Sequence, residues 1–496
     1  MKRDLPVRPL PPDGMPTHRR LRVYTQDPSV GRLEGQTCTL AVPYEALGPG
    51  PAGAWFVVED RGSKESPLNL DAPALLMGNG LAPSTTDRQF ACQMVYAVAM
   101  ETYERFTEAL GRDPGFGPIP QPDRRLRLIP RAFKEANAYY DREAGTVELG
   151  WELAERFAPG RSQPGSHVFL ALSRDIVTHE ISHALLDGLR PNFLRPTHQD
   201  VAALHEGFAD LVAIFLHFTQ RDVVAAAIER TQGRVDTDQL AAIGRQFGFE
   251  LIDGRSPLRT AVHTGGWDEA VPSSLTYAAN HEEHDLGAVL VSACFEAFRR
   301  IFEMRTARLR RVFAPYQGRL PSEGVDLLAG EACQLARQFL NIVIRAIDYT
   351  PSSHCTFGEY LRAMITADAD LVADDPWAYR EAMVTAFRRY GVTVPDVDDL
   401  SEESLLWDQP DRPIVVDELR FSQLRLDCTD GLIQWSDKSR QIDAAEALGR
   451  VVCSSEHGRA CGLARPGGKI QPPRVMSLRT LRRVSPDGRV NFDTVA

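Results

Sequence analysis

Several classes of protein are made improbable by what this chain lacks. No run of about 18 apolar residues is present to span a bilayer. The opening MKRDLPVRPLPPDGMP has positive charge with no apolar core behind it, so it does not read as a secretory signal. Basic excess is missing as well: 56 Lys and Arg stand against 67 Asp and Glu, a formal net charge of -11, whereas phosphate backbones are bound by clustered Lys and Arg. Cysteine is sparse, with eight residues scattered over 496 positions, so reduced thiols are expected in place of a disulfide framework. These absences predict a cytoplasmic protein whose partners include no nucleic acid and no membrane.

What is present is ordinary globular material, 43% hydrophobic and 25% charged, in a chain long enough for about two to four domains. Residues 1–83 alternate strand-like runs (RLRVY, TCTLAVPY, AWFVVED) with Pro- and Gly-rich connections and read as a β-rich segment. Apolar residues then recur at helical spacing over 86–112. RLRLIPRAF and NAYYDREAGTVELGW read as strands, the second a hairpin turning at Glu143-Ala144-Gly145. Helices are expected over 175–189, 202–219, 286–304, 325–347, 356–367 and 377–390. The whole is α+β. From 395 to 496 an acidic, Pro-bearing linker leads into a mixed α/β accessory region, a candidate docking site for a regulatory or partner protein. The last residues, FDTVA, resemble a strand after a Ser-Pro-Asp-Gly turn, so either a partner closes that sheet or the chain is the front part of a longer one.

The chemistry is concentrated in DIVTHEISHALLDGL. His179 and His183 stand four apart on an expected helix and project from one face, with Glu180 beside them. Catalytic zinc takes three protein ligands and keeps a position for water, whose proton an adjacent glutamate accepts. Glu206, 23 residues after His183 in LHEGFADLVAIF, supplies the third ligand. Asp210, one turn on, is placed to bond a ligating imidazole. Phe208, Leu211, Val212, Ile214 and Phe215 make this a largely buried helix, where carboxylates without partners would be costly. His198, His205 and His217 are read as surface or loop histidines. Cys453, His457 and Cys461, four apart with Cys428 upstream, match no standard zinc spacing and are read as buried or surface thiols and a histidine.

These residues resemble the thermolysin-like gluzincin peptidases, and the resemblance implies a zincin body with a β-sheet lobe (84–270) and a helical lobe (271–394). Asn137-Ala138-Tyr139-Tyr140 looks like that family's edge strand, which implies that the Ala138 carbonyl and the Asn137 side chain bind substrate backbone by strand addition. EHDLGAVLVSACFEAF resembles the segment carrying the oxyanion donor, which implies His284, with His281 a nearby competitor. Pro257-Leu258-Arg259 resembles the Leu-Arg that binds a substrate carbonyl, Arg255 being the alternative. The function implied is zinc-dependent hydrolysis of peptide bonds in a peptide or protein substrate, with Glu180 as general base. Two other readings are a metal-holding scaffold that binds a peptide without turnover, and a self-processing protease module of a longer protein.

The chain departs from the family in three places. Ala279-Asn280 stand where an acidic partner of the oxyanion histidine belongs, and no tyrosine lies between His183 and Glu206. Asp175 matches a calcium ligand of secreted relatives, but His217 occupies its acidic counterpart's place, so no calcium site is expected.

Overall fold

The computed structural model describes residues 16–28, 37–117, 119, 124–154, 163–195, 197–235, 242–243, 259–260, 270–278, 282–313, 319–407, 416, 419, 424–426, 433–435, 438–453, 478–484 and 490–495. The chain divides into two compact units, Met1–Ala109 with Pro114–Leu405, and Leu110–Asp113 with Leu406–Ala496. Both are mixed α and β. The first 83 residues thus cluster with the body that follows them.

In the first unit, β1 (His18–Tyr24) and β2 (Thr37–Pro43) form an antiparallel ladder. Every second side chain, including Leu21, Val23, Leu40 and Val42, is buried, as a half-covered strand pair requires. Beyond it lie β3 (Phe56–Val58), the short helix α1 (Pro73–Met77) and the long helix α2 (Arg88–Leu110). Phe90, Met94, Val95, Val98 and Phe106 of α2 are entirely buried, and so is Gln93, which is satisfied by the Leu81 N–H and the Arg22 carbonyl.

A four-stranded sheet of order β3-β4-β6-β5 follows, with β4 (Leu126–Ile129), β5 (Ala138–Asp141) and β6 (Thr146–Leu149). β3, β4 and β6 are parallel and β5 returns antiparallel beside β6, leaving β5 at the edge. The hairpin turns where expected. Asp141 Oδ1 accepts from the Glu143 and Ala144 N–H groups, and Gly145 takes φ 65°, a conformation open to glycine. β7 (Trp151–Leu153) and β8 (His167–Phe169) form a separate pair.

The helices are α3 (Arg174–Leu189), α4 (Gln199–Phe218), α5 (Arg221–Thr231), α6 (Glu283–Phe313), α7 (Ser322–Ala346), α8 (Phe357–Ala369), α9 (Tyr379–Arg389) and α10 (Glu402–Leu405). A two-residue ladder joins β9 (Ala242–Ile243) and β10 (Arg259–Thr260). α4 is long and apolar enough to cross a membrane, yet 89% of its apolar window is buried inside this unit, where it packs on α3, α6 and α7. Arg174, at the start of α3, is itself buried, and its guanidinium bonds Glu101 of α2 at 2.7 Å and the Leu216 carbonyl of α4. One paired charge therefore fixes three helices, and removing either partner would strand the other.

The second unit contains an antiparallel pair β11 (Leu424–Leu426) and β12 (Ile433–Trp435), helix α11 (Lys438–Val452), and the antiparallel pair β13 (Arg479–Val484) and β14 (Val490–Val495). Ala444 and Ala447 are buried, and Gln441 donates to the Leu478 carbonyl.

Candidate metal centre

α3 turns Val177, Ile181 and Leu185 to one face and His179 and His183 to the opposite one, a consequence of 3.6 residues per turn. α4 lies antiparallel against that second face, as three polar pairs record. His183 Nδ1 is 2.7 Å from His205 Nδ1, His179 Nδ1 is 2.7 Å from Asp210 Oδ1, and Asp175 Oδ1 is 3.1 Å from His217 Nδ1. Numbers fall along α3 as they rise along α4. All six side chains are buried.

At one end of this ladder the ligand atoms converge. The Nε2 atoms of His179 and His183 approach to 2.9 Å, and each lies 3.5 Å from an oxygen of Glu206. His179, His183 and Glu206 can hold a metal ion between them. With both Nδ1 atoms turned to α4, the two Nε2 atoms are left to face each other, as ligand orientation requires. Burial pushes the His205 imidazole down to about 4, so it is neutral near pH 7. A His183 that offers its Nε2 lone pair carries its proton on Nδ1 and donates it to His205. The His205 proton then sits on Nε2, which has no hydrogen-bond partner among the described residues. Glu180, 6% exposed, stands on α3 between the two ligand histidines in sequence.

α6 brings the fourth group. A Cβ on Gly207 would lie 2.9 Å from the Gly287 carbonyl oxygen, and one on Gly287 would lie 3.1 Å from that of Ala203. Two glycines therefore allow α4 and α6 to touch beside Glu206. His284, one turn before Gly287, then has its Nε2 3.6 Å from Glu206 Oε2. Its Nδ1 is 2.8 Å from Glu282 Oε1, and the other Glu282 oxygen accepts from the His284 backbone N–H. Hydrogen bonding to His284 holds the Glu282 carboxyl below its ordinary value. The resemblance expects that partner about five residues earlier, where Ala279-Asn280 stand. Glu282 lies only two away, at the cap of the helix, a position where carboxylates are expected.

Ala138 opens the edge strand β5 and Asn137 directly precedes it. Asn137 is exposed and its Oδ1 accepts from the Ala138 N–H at 2.9 Å, while the Asn137 carbonyl accepts from Gly150 across the ladder. By the alternation of an antiparallel strand, the Ala138 N–H and carbonyl face the open side. Arg259 lies in β10, but its side chain is outside the described residues, as are Arg255, His281, Cys428, His457 and Cys461.

Two readings require correction. His205 and His217 are not surface or loop residues. Both are buried on α4, because that helix is covered on every side and its polar stripe faces α3. His198 does lie at the helix start, where its ring accepts from the Asp200 N–H. The only sequence signal for the buried pair was their spacing: His205 precedes Glu206, and His217 stands three turns beyond it on the same face. Compared with known proteins, the chain matches no family model and no curated protein.

Proposed function

We propose that this chain is a zinc-dependent endopeptidase of the thermolysin-like type. The observation that carries the reading is the convergence of two imidazole Nε2 atoms and one carboxylate from two buried helices, with a glutamate next to the first histidine. The donor set suits zinc. Bonds of about 2.0–2.2 Å in a tetrahedron put ligand atoms about 3.3–3.6 Å apart. The 3.5 Å separations to Glu206 match this, and the 2.9 Å separation between the imidazoles needs only a small opening. When bound there, the ion would supply polarisation of a carbonyl and acidification of water.

The chain's own residues do the remainder. Glu180 accepts the proton of the attacking water and delivers it to the leaving amine. In its doubly protonated form His284 donates from Nε2 to the oxygen that gains charge as the carbonyl carbon becomes tetrahedral, while its Nδ1–H is held by Glu282. An extended peptide adds to the open side of β5 through the Ala138 backbone groups, which sets the scissile carbonyl before α3.

The test is digestion of a diverse peptide mixture by the zinc-loaded chain and by Glu180→Gln, read by mass spectrometry. Cuts made by the wild type and absent from the variant support the peptidase. A wild type that holds zinc and cuts nothing points to a binding scaffold.

A further inference from the structure

A second polar cluster, next to the metal centre and unused by the chemistry above, ties the edge strand to the metal-binding helix. Asp187 lies one turn after His183 on α3, on the side that carries the ligands, and is completely buried. Its Oδ2 accepts from the Tyr140 hydroxyl at 2.9 Å and lies 3.3 Å from Nε of Arg142, whose Nη1 also donates to the Pro191 carbonyl. Burial and the neighbouring carboxylate hold the Tyr140 hydroxyl above its ordinary value, so it remains a donor.

Three segments meet here: the end of α3, the strand β5, and residues 115–117. A Cβ on Gly117 would lie 1.8 Å from Asp187 Oδ2 and 3.1 Å from the Tyr140 hydroxyl, and one on Gly188 would lie 2.5 Å from the Gly115 carbonyl oxygen. Only glycine fits this close around the carboxylate. Among the described residues β5 has a ladder partner on one side alone, so its pairing with β6 fixes its register but leaves its tilt toward α3 to other contacts. Tyr140, whose side chain leaves that strand for α3, is such a contact.

We propose that Tyr140, Asp187 and Arg142 form a clasp that sets the distance between the peptide-binding edge and the metal ligands. On the peptidase reading, from which this follows, the three are positioning residues that align long substrates. Loosening the clasp penalises peptides that pair with β5 and spares substrates too short to do so, because alignment errors of about an ångström cost rate only where alignment comes from the strand.

The experiment compares wild type, Tyr140→Phe and Arg142→Lys on a blocked dipeptide amide and on a hexapeptide with the same scissile bond. Zinc content and thermal midpoint are recorded for each. The clasp predicts that Tyr140→Phe retains zinc, loses about tenfold or more in kcat/KM on the hexapeptide, and stays within about twofold of wild type on the dipeptide. Arg142→Lys, which keeps the charge beside Asp187, loses less than Tyr140→Phe on the hexapeptide. Equal losses on both substrates, or none on either, overturn the proposal. If wild type cleaves neither, the peptidase reading has failed, and the clasp is judged by the affinity of dipeptide and hexapeptide hydroxamates. Tyr140→Phe must then abolish the hexapeptide's advantage, and an intact advantage overturns the clasp.

Discussion

The interface between α3 and α4 behaves differently at its two ends. At the far end Asp175 meets His217 as one acid facing one imidazole, 3.1 Å apart and buried, a pair that balances itself once the ring is protonated or donates its N–H. At the near end two imidazoles face each other through Nε2 at 2.9 Å with Glu206 beside both. Two lone pairs at that distance are stabilised only by a proton or a cation between them. The same helix pair, in one antiparallel register, thus makes a structural tie at one end and a converging ligand set at the other. At both ends Nδ1 makes the tie across the interface, and the difference lies in what the Nε2 atoms then meet: at the near end, each other and Glu206. At the near end Nδ1 is taken by Asp210 or His205, and Nε2 is what remains.

The largest effect expected from breaking this contrast is on metal affinity. Asp210→Ala or His205→Ala should weaken zinc binding by about 10–100-fold, measured against a competing chelator, because the ligand ring loses the contact that fixes its orientation. At the opposite end His217→Gln should lower unfolding free energy by about 1–3 kcal/mol in a denaturant titration and leave zinc affinity unchanged. Equal zinc losses at both ends would erase the distinction.

A smaller effect separates the ligands from His284. That ring is 46% exposed and tied to Glu282, itself 59% exposed, in contrast to the buried rings of α3. Glu282→Gln should therefore reduce kcat by about tenfold at most while zinc affinity stays as it was. The difference fits a group that must meet an incoming substrate.

The smallest expected effect is a control away from the interface. Asp368 of α8 faces the Arg380 guanidinium at 2.9 Å, yet burial pushes its carboxyl up from 3.8 to about 6. The folded state therefore binds this proton more tightly than the unfolded one. Its contribution to stability is full below about pH 4 and is lost as pH rises through about 6. Wild type should therefore lose stability relative to Asp368→Asn as pH rises through that window in denaturant titrations at a series of pH values, with no accompanying change in zinc affinity.

The parts of this arrangement that were legible in the sequence are those set by a single element's period. Spacing of four put His179 with His183 and Glu206 with Asp210. Alternation with Gly145 at the turn gave the β5–β6 hairpin, and apolar periodicity gave most of the long helices to within a few residues, although α6 runs to Phe313, nine residues past its expected end at 304. What escaped was decided between elements. A periodic pattern shows that α4 is buried but not which helix covers the His205 and His217 side, so the sequence reading of both as surface or loop residues fails. The clasp joins Tyr140 to Asp187, 47 residues apart, and only the folded chain brings them together. The helix α5 (Arg221–Thr231) is short and follows α4 after only two residues, so its pattern does not stand apart in the sequence. Glu282 was hidden for the opposite reason. Its contact is local, two residues along the chain at a helix cap, whereas the resemblance directed attention further upstream.

The most direct test of the central claim is a zinc titration of the chelator-treated full chain, followed by calorimetry, with X-ray absorption at the zinc edge of the loaded protein. The account predicts one tight site per chain, a ligand shell of two imidazole nitrogens with oxygen, and loss of the site in His183→Ala and Glu206→Ala. Absence of stoichiometric binding, or a site that survives both substitutions, would contradict it.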